Sequence, residues 1–199
     1  MAISTPAVRQ ARFGEEYMKT ACLLLAEGFE EVEALTQADY LRRAGIHVTI
    51  AGIAGRKIKG SHGIAVEADA GPEALEDSYD AIILPGGMPG ARNLAESPAV
   101  RNLINRHYTK GKLIAAICAA PAVVLHGGCN LLQGKKFTGY PGTEESVQGA
   151  RFIPDRVVID GNIITSRGPG TAGEFAVAII AALENKQKAD EVAQHALLK

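Results

Sequence analysis

The chain lacks most features that mark specialised protein classes. It holds three cysteines, Cys22, Cys118 and Cys129, too few and too odd in number for a disulfide framework. Free thiols in a reducing, cytoplasmic compartment are the expectation. Neither sign of charge is in excess: 21 basic residues stand against 22 acidic ones, so no nucleic-acid surface is written into the balance. No apolar run approaches the roughly 18 residues of a membrane span. There is no internal repeat, linker or low-complexity tract, and collagen, coiled-coil and disordered compositions are excluded. Motifs for bound ions and nucleotides are missing as well. There is no G-K-[ST], no H-E-x-x-H and no metal-spaced Cys/His pair, so neither a metal nor another cofactor is expected.

What is present suits one globular domain: 199 residues, of which 47% are apolar and 22% charged. Residues 1–19 read as a leader outside it, disordered or an appended remnant. They lack an apolar h-region, and Arg9 and Arg12 before any acid give a faint transit-peptide character. Met18 is an alternative start. Residues 20–199 then read as a single domain. Ala21–Ala26 and Ala81–Leu84 are short continuous apolar runs, as expected for strands buried on both faces. His47–Gly52, Ile64–Ala68 and Leu113–Ile117 are further strands, the second of them peripheral. Val157–Asp160 and Ile163–Thr165 flank Gly161-Asn162, a hairpin signal. Helical spacing covers Glu31–Arg43, Pro98–Thr109, Ala119–Leu125, Thr171–Asn185 and Lys186–Leu198. Strands alternating with helices predict an α/β fold with a mostly parallel sheet and helices on both faces.

In such sheets ligands bind beyond the carboxyl ends of the strands. Four turns stand there: Glu27 to Glu33, Pro85-Gly86-Gly87, Cys118 to Pro121, and Ser166 to Thr171. Cys118 ends a strand and opens a helix between small residues, the layout of a nucleophile elbow without the G-x-S-x-G form. A helix N-terminus should draw its pKa below about 8.5. Cys22 sits inside a strand and reads as core; nothing activates Cys129. No histidine adjoins Cys118, and His126 lies at the far end of the elbow helix. A carboxyl can take the proton work instead, and Glu30, Glu31 and Glu33 open the first helix. Periodicity does not choose among them. Pro85-Gly86-Gly87 can offer amides to an oxyanion or be only a tight turn. Gly168 to Gly173 fits G-x-G-x-x-G, but too little chain follows for a dinucleotide fold.

Those turns, with Arg42-Arg43-Ala44-Gly45-Ile46, resemble the DJ-1/ThiJ/PfpI superfamily, in its DJ-1/YajL-like branch, from about Thr20 to the C-terminus. The resemblance implies a flavodoxin-like sandwich, a homodimer and no cofactor. It implies Cys118 as the reactive cysteine and Glu33 as its acid. Gly86, Gly87, Ala119 and Tyr140 would line the oxyanion and substrate pocket, with Arg43 and His62 on the dimer-facing side. Two departures stand out. The histidine that follows the cysteine in protease-type members is Ala119 here, which breaks a protease triad. The histidine before a proline in the DJ-1 type is Tyr140. The function expected from the resemblance is a glyoxalase III-type conversion of a small 2-oxoaldehyde to a 2-hydroxy acid, or deglycation of proteins by the same chemistry. The alternative is a redox sensor or redox-dependent chaperone acting through Cys118 oxidation.

Overall fold

The computed structural model describes residues 18–198; the expected leader lies almost wholly outside them. Along the chain run β1 (Thr20–Leu25), α1 (Glu31–Arg43), β2 (His47–Gly52), β3 (Lys57–Lys59), β4 (Ala65–Glu67), β5 (Ala81–Leu84), α2 (Gly90–Glu96), α3 (Pro98–Thr109) and β6 (Leu113–Ile117). A π-helix (Pro121–Gly128) follows, then β7 (Lys136–Phe137), β8 (Arg151–Phe152), β9 (Val157–Asp160), β10 (Ile163–Ser166), α4 (Ala172–Leu183) and α5 (Lys186–His195).

Six strands form the main sheet in the order β2-β1-β5-β6-β10-β9. All neighbours are parallel except β9 and β10, which pair antiparallel through the expected hairpin. Every residue of β5 and β6, and all of β1 after Thr20, is buried. Burial on both faces is why these strands read as unbroken apolar runs instead of alternating ones. Helix α1 packs on α4 and α4 on α5, while α2 packs on α3 and on the π-helix. The result is the expected flavodoxin-like sandwich. No helix among the described residues is long and apolar enough to cross a membrane.

Local chemistry sets the helix ends. Glu30 caps α1 by accepting from the Glu33 amide at 2.7 Å, and Gly45, at φ +82°, ends it. Ser97 caps α3 and Asn185 caps α5. The expected strand at Ile64–Ala68 is the three-residue β4, paired with β3 away from the main sheet. The expected helix at Ala119–Leu125 is instead a π-helix displaced to Pro121–Gly128. Pro121 stands in its first turn, where a missing N–H costs no ladder bond. At its end Gly128 lies against Ala95 of α2, where an added Cβ would sit 3.3 Å from the Ala95 Cα.

Burial predicts where the fold is sensitive. Leu24 on β1 is fully buried, whereas Ile159 on the edge strand β9 is 58% exposed. Leu24→Ala should lower the unfolding free energy in urea by about 2–5 kcal/mol, and Ile159→Ala by roughly 0.5 kcal/mol or less. Equal losses at the two positions would contradict this layering.

Candidate active site

The site forms where β1, β5, β6 and β10 end. Cys118 follows β6 directly and has φ +65°, a left-handed conformation that costs a non-glycine residue about 1–2 kcal/mol. It is pinned on both sides. Its N–H donates to Ser166 O at 3.0 Å, and its carbonyl accepts from Tyr140 N–H at 2.8 Å. β10 and the Gly139-Tyr140 loop therefore hold the elbow together, and the side chain is turned into the rim.

Gly86 closes on the elbow from β5. A Cβ there would lie 2.6 Å from Cys118 Cβ, 2.9 Å from Glu33 Oε2 and 3.0 Å from Ala119 N, so only glycine lets the three groups meet. Its N–H donates to Glu33 Oε2 at 2.7 Å. That amide is thus spent on the carboxyl and is not free for an oxyanion. The backbone N–H groups that reach the Cys118 sulfur are those of Gly87 and Ala119. Gly87, at φ +82°, takes the left-handed turn that aims its amide.

Of the three candidate acids, the structure brings Glu33 to the thiol. It is fully buried, and its Oε1 has no hydrogen-bond partner among the described residues. Burial pushes its pKa up to about 7, against the opposing pull of Cys118 and the Gly86 amide, with the Glu30 charge adding to the rise. Glu30 is the cap of α1. Glu31 turns to the β3–β4 loop, where Oε1 accepts from His62 N–H at 2.8 Å and Oε2 lies 2.9 Å from His62 Nδ1. Desolvation resists it, but these bonds hold the Glu31 carboxyl well below the usual range.

The thiol departs from expectation. Cys118 is only 8% exposed; burial first, then the charge and hydrogen bond of Glu33, push it up to about 12 against the two amides. Burial, with a carboxylate in contact, outweighs the positive end of the helix that was expected to lower it. Two negative charges cannot share this volume, so near neutrality the pair carries at most one, and protonation of Glu33 removes the largest electrostatic obstacle to a thiolate. Cys22 is buried in β1 as expected, and Cys129 is half-buried.

Tyr140 is 51% exposed and its ring lies over Gly168. His62 is 70% exposed on its side chain and bonded to Glu31, which raises its pKa. Arg43 pairs with Asp39 at 2.8 Å in the last turn of α1, about 15 Å along the axis from Glu33, so it is not part of the site within one chain. None of the five histidines has a hydrogen bond to Cys118 among those found in the described residues, and His107 is buried on Tyr79 N–H and Leu103 O. Ligand atoms of Glu30, Glu31 and His62 lie within 4.8 Å of one another, but both Glu31 oxygens are already occupied. The Gly168 turn closes on itself, with Thr171 Oγ1 accepting from Gly168 N–H at 3.1 Å and 2.7 Å from Ser166 Oγ.

Comparison with known proteins shows the family and the fold. The DJ-1/PfpI family model matches residues 19–182. Drosophila melanogaster protein dj-1beta is 42% identical over 90% of this chain and 97% of its own length. A Caenorhabditis elegans protein named a glutathione-independent glyoxalase is 36% identical over 87% of this chain and 94% of its own. The solved structure of oxidised Toxoplasma gondii DJ-1 superposes with a TM-score of 0.87 at 39% identity, covering 90% of this chain and 98% of that one.

The Glu33 shift has a thermodynamic consequence. Its pKa of about 7 in the fold lies above the ordinary 4.5. The folded state therefore holds this proton more tightly, and the associated stability is full below 4.5 and lost as pH rises through 7. Glu33→Gln, which keeps an acceptor for Gly86, should be neutral in melting experiments near pH 4.5. By pH 8 to 9 it should become stabilising by up to about 3 kcal/mol. A variant destabilised equally at both ends of the range would show that Glu33 is ionised in the native site.

Proposed function

We propose that this chain, which belongs to the DJ-1/PfpI family, converts small 2-oxoaldehydes to 2-hydroxy acids without a cofactor. Cys118 is the nucleophile and Glu33 the proton carrier. The observation that carries the reading is a buried carboxyl with one oxygen unpartnered among the described residues, set against a thiol on a left-handed elbow. A relative whose name is a glutathione-independent glyoxalase supports it.

The chemistry follows from the shared proton. Transfer of the thiol proton within the pair gives a thiolate beside neutral Glu33. The thiolate sulfur attacks the aldehyde carbon, the C=O π pair moves to oxygen, and Glu33 protonates that oxygen, giving a hemithioacetal. The Glu33 carboxylate then removes the hydrogen on the former aldehyde carbon and returns it to the neighbouring ketone carbon through an enediolate. The aldehyde carbon is thereby oxidised to a thioester while the ketone is reduced to an alcohol, so no external oxidant enters. Water cleaves the thioester, releasing the 2-hydroxy acid and the thiol. The Gly87 and Ala119 amides would stabilise the oxyanions next to sulfur, a role expected of Gly86 and Gly87; Gly86 instead fixes Glu33. Glycated proteins would enter through the same hemithioacetal. Tyr140 would steady a substrate oxygen through its hydroxyl without replacing an imidazole base. We read the protein as a cytoplasmic homodimer, with Arg43 and His62 on its dimer-facing side.

A second reading rests on the same unpartnered oxygen. Peroxide would oxidise Cys118 to a sulfinate, two peroxides each delivering one oxygen and leaving as water. Protonated Glu33 would donate to the product.

Methylglyoxal turnover separates the two. Wild-type protein should produce lactate. Cys118→Ser should abolish turnover, and Glu33→Gln should lower kcat by roughly 10²-fold or more while Cys118 still gains +32 Da under peroxide. Absence of turnover in wild type, with ready accumulation of the +32 Da species, would favour the sensor. Undiminished turnover in Glu33→Gln would remove Glu33 from the mechanism.

A further inference from the structure

Beside the Cys118–Glu33 pair lies a cleft of about 230 Å³, lined among others by Tyr140, Arg156, Arg167 and Gly168. Both walls are tied to the nucleophile's own peptide groups. Tyr140 donates its N–H to the Cys118 carbonyl, and Arg167 directly follows Ser166, whose carbonyl receives the Cys118 N–H. Gly168 forms the floor. A Cβ on it would stand 3.5 Å from the Tyr140 ring and 4.0 Å from Glu33 Oε1, so Gly168 lies between the cleft and the proton carrier and puts no side chain there.

The two arginines differ in how their charge is spent. Arg156 is paired with Glu174 at 2.7 Å and also donates to Gly170 O. The half-buried Arg167 donates from Nη1 to Pro154 O at 3.1 Å, its guanidinium 6.0 Å from the centre of the Phe152 ring. It has no ion pair among those formed by the described residues. A carbonyl oxygen and a ring face hold the fork in place without neutralising it, and most of its five N–H donors remain available. The Tyr140 hydroxyl on the opposite wall also has no hydrogen bond among those found in the described residues.

We propose that Arg167 forms an anion subsite, and that the preferred substrates are 2-oxoaldehydes bearing a carboxylate a few bonds from the ketone. This rests on the glyoxalase reading and names its substrate class. The chemistry is unchanged. A 2-oxoaldehyde carboxylate plus water gives a 2-hydroxy dicarboxylate and one proton, with the aldehyde carbon oxidised and the ketone carbon reduced inside one molecule. Arg167 takes no part in those steps; it positions the tail so that the aldehyde reaches sulfur.

Two probes of equal carbon count test this: 4,5-dioxopentanoate, with an anionic tail, and 2-oxopentanal, with a neutral one. Wild-type kcat/KM should favour the anion by about tenfold to a hundredfold, the worth of one charged hydrogen bond. In Arg167→Gln, which keeps a donor for Pro154 O, that ratio should fall toward one. A wild-type ratio of one or below overturns the proposal whether or not the variant folds, as does a ratio that Arg167→Gln leaves intact. A binding arm is independent of turnover. The inert 4-oxopentanoate should slow iodoacetamide alkylation of Cys118, 2-pentanone should not, and Arg167→Gln should erase the difference. Protection by 4-oxopentanoate without turnover of either aldehyde would refute the glyoxalase reading and leave the subsite standing. Equal turnover of both aldehydes without protection would refute the subsite alone.

Discussion

The rest of the site depends on burying one carboxyl against one thiol. Glu33 is held by the Gly86 amide at 2.7 Å, and its own amide is held by the Glu30 cap. The same Glu30 donates its N–H to Gly86 O at 3.0 Å, which ties the start of α1 to the end of β5. Gly86 has no room for a Cβ because that atom would strike Cys118 and Glu33 together. In such a volume ionisation of one partner opposes ionisation of the other. The reactivity of the thiol is therefore a property of the pair, and the positive end of a helix is a secondary influence on it.

The backbone strain has the same origin. Cys118 keeps a left-handed φ only because its two peptide groups are claimed by β10 and by Tyr140. That conformation aims the sulfur at the Gly87 and Ala119 amides. The extra strand β9 completes the sheet on the far side of β10, and Arg156 and Arg167 come from the segments flanking this hairpin. The cleft for a substrate tail is thus built by the part of the fold that also secures the elbow.

Much of this was legible in the sequence. The strands β1, β5 and β6 show as unbroken apolar runs because both of their faces are buried, and the β9–β10 hairpin shows through Gly161-Asn162. Short elements were not legible: α2 has only seven residues and no side-chain cap, and β7 and β8 have two each. Cys118 stood out by position and small neighbours. Its partner did not, because Glu30, Glu31 and Glu33 share one helix turn and only tertiary packing separates a cap, a loop anchor and a buried acid. The resemblance pointed to Glu33 where periodicity could not. Which amide serves which group left no trace at all, since a glycine's N–H looks the same in sequence whether it binds a carboxyl or a sulfur. The open charge on Arg167 is equally invisible, because it depends on Glu174 pairing with Arg156 instead.

The central claim is that Glu33 is a neutral acid over much of the working range, and a direct titration tests it. Nuclear magnetic resonance of protein labelled at the glutamate side-chain carboxyl carbon, assigned by comparison with Glu33→Gln, reads that protonation state. The account predicts a Glu33 transition with a midpoint of about 7, reciprocally shifted when Cys118 is replaced by serine. A midpoint at the ordinary 4.5, unmoved by Cys118→Ser, would contradict it.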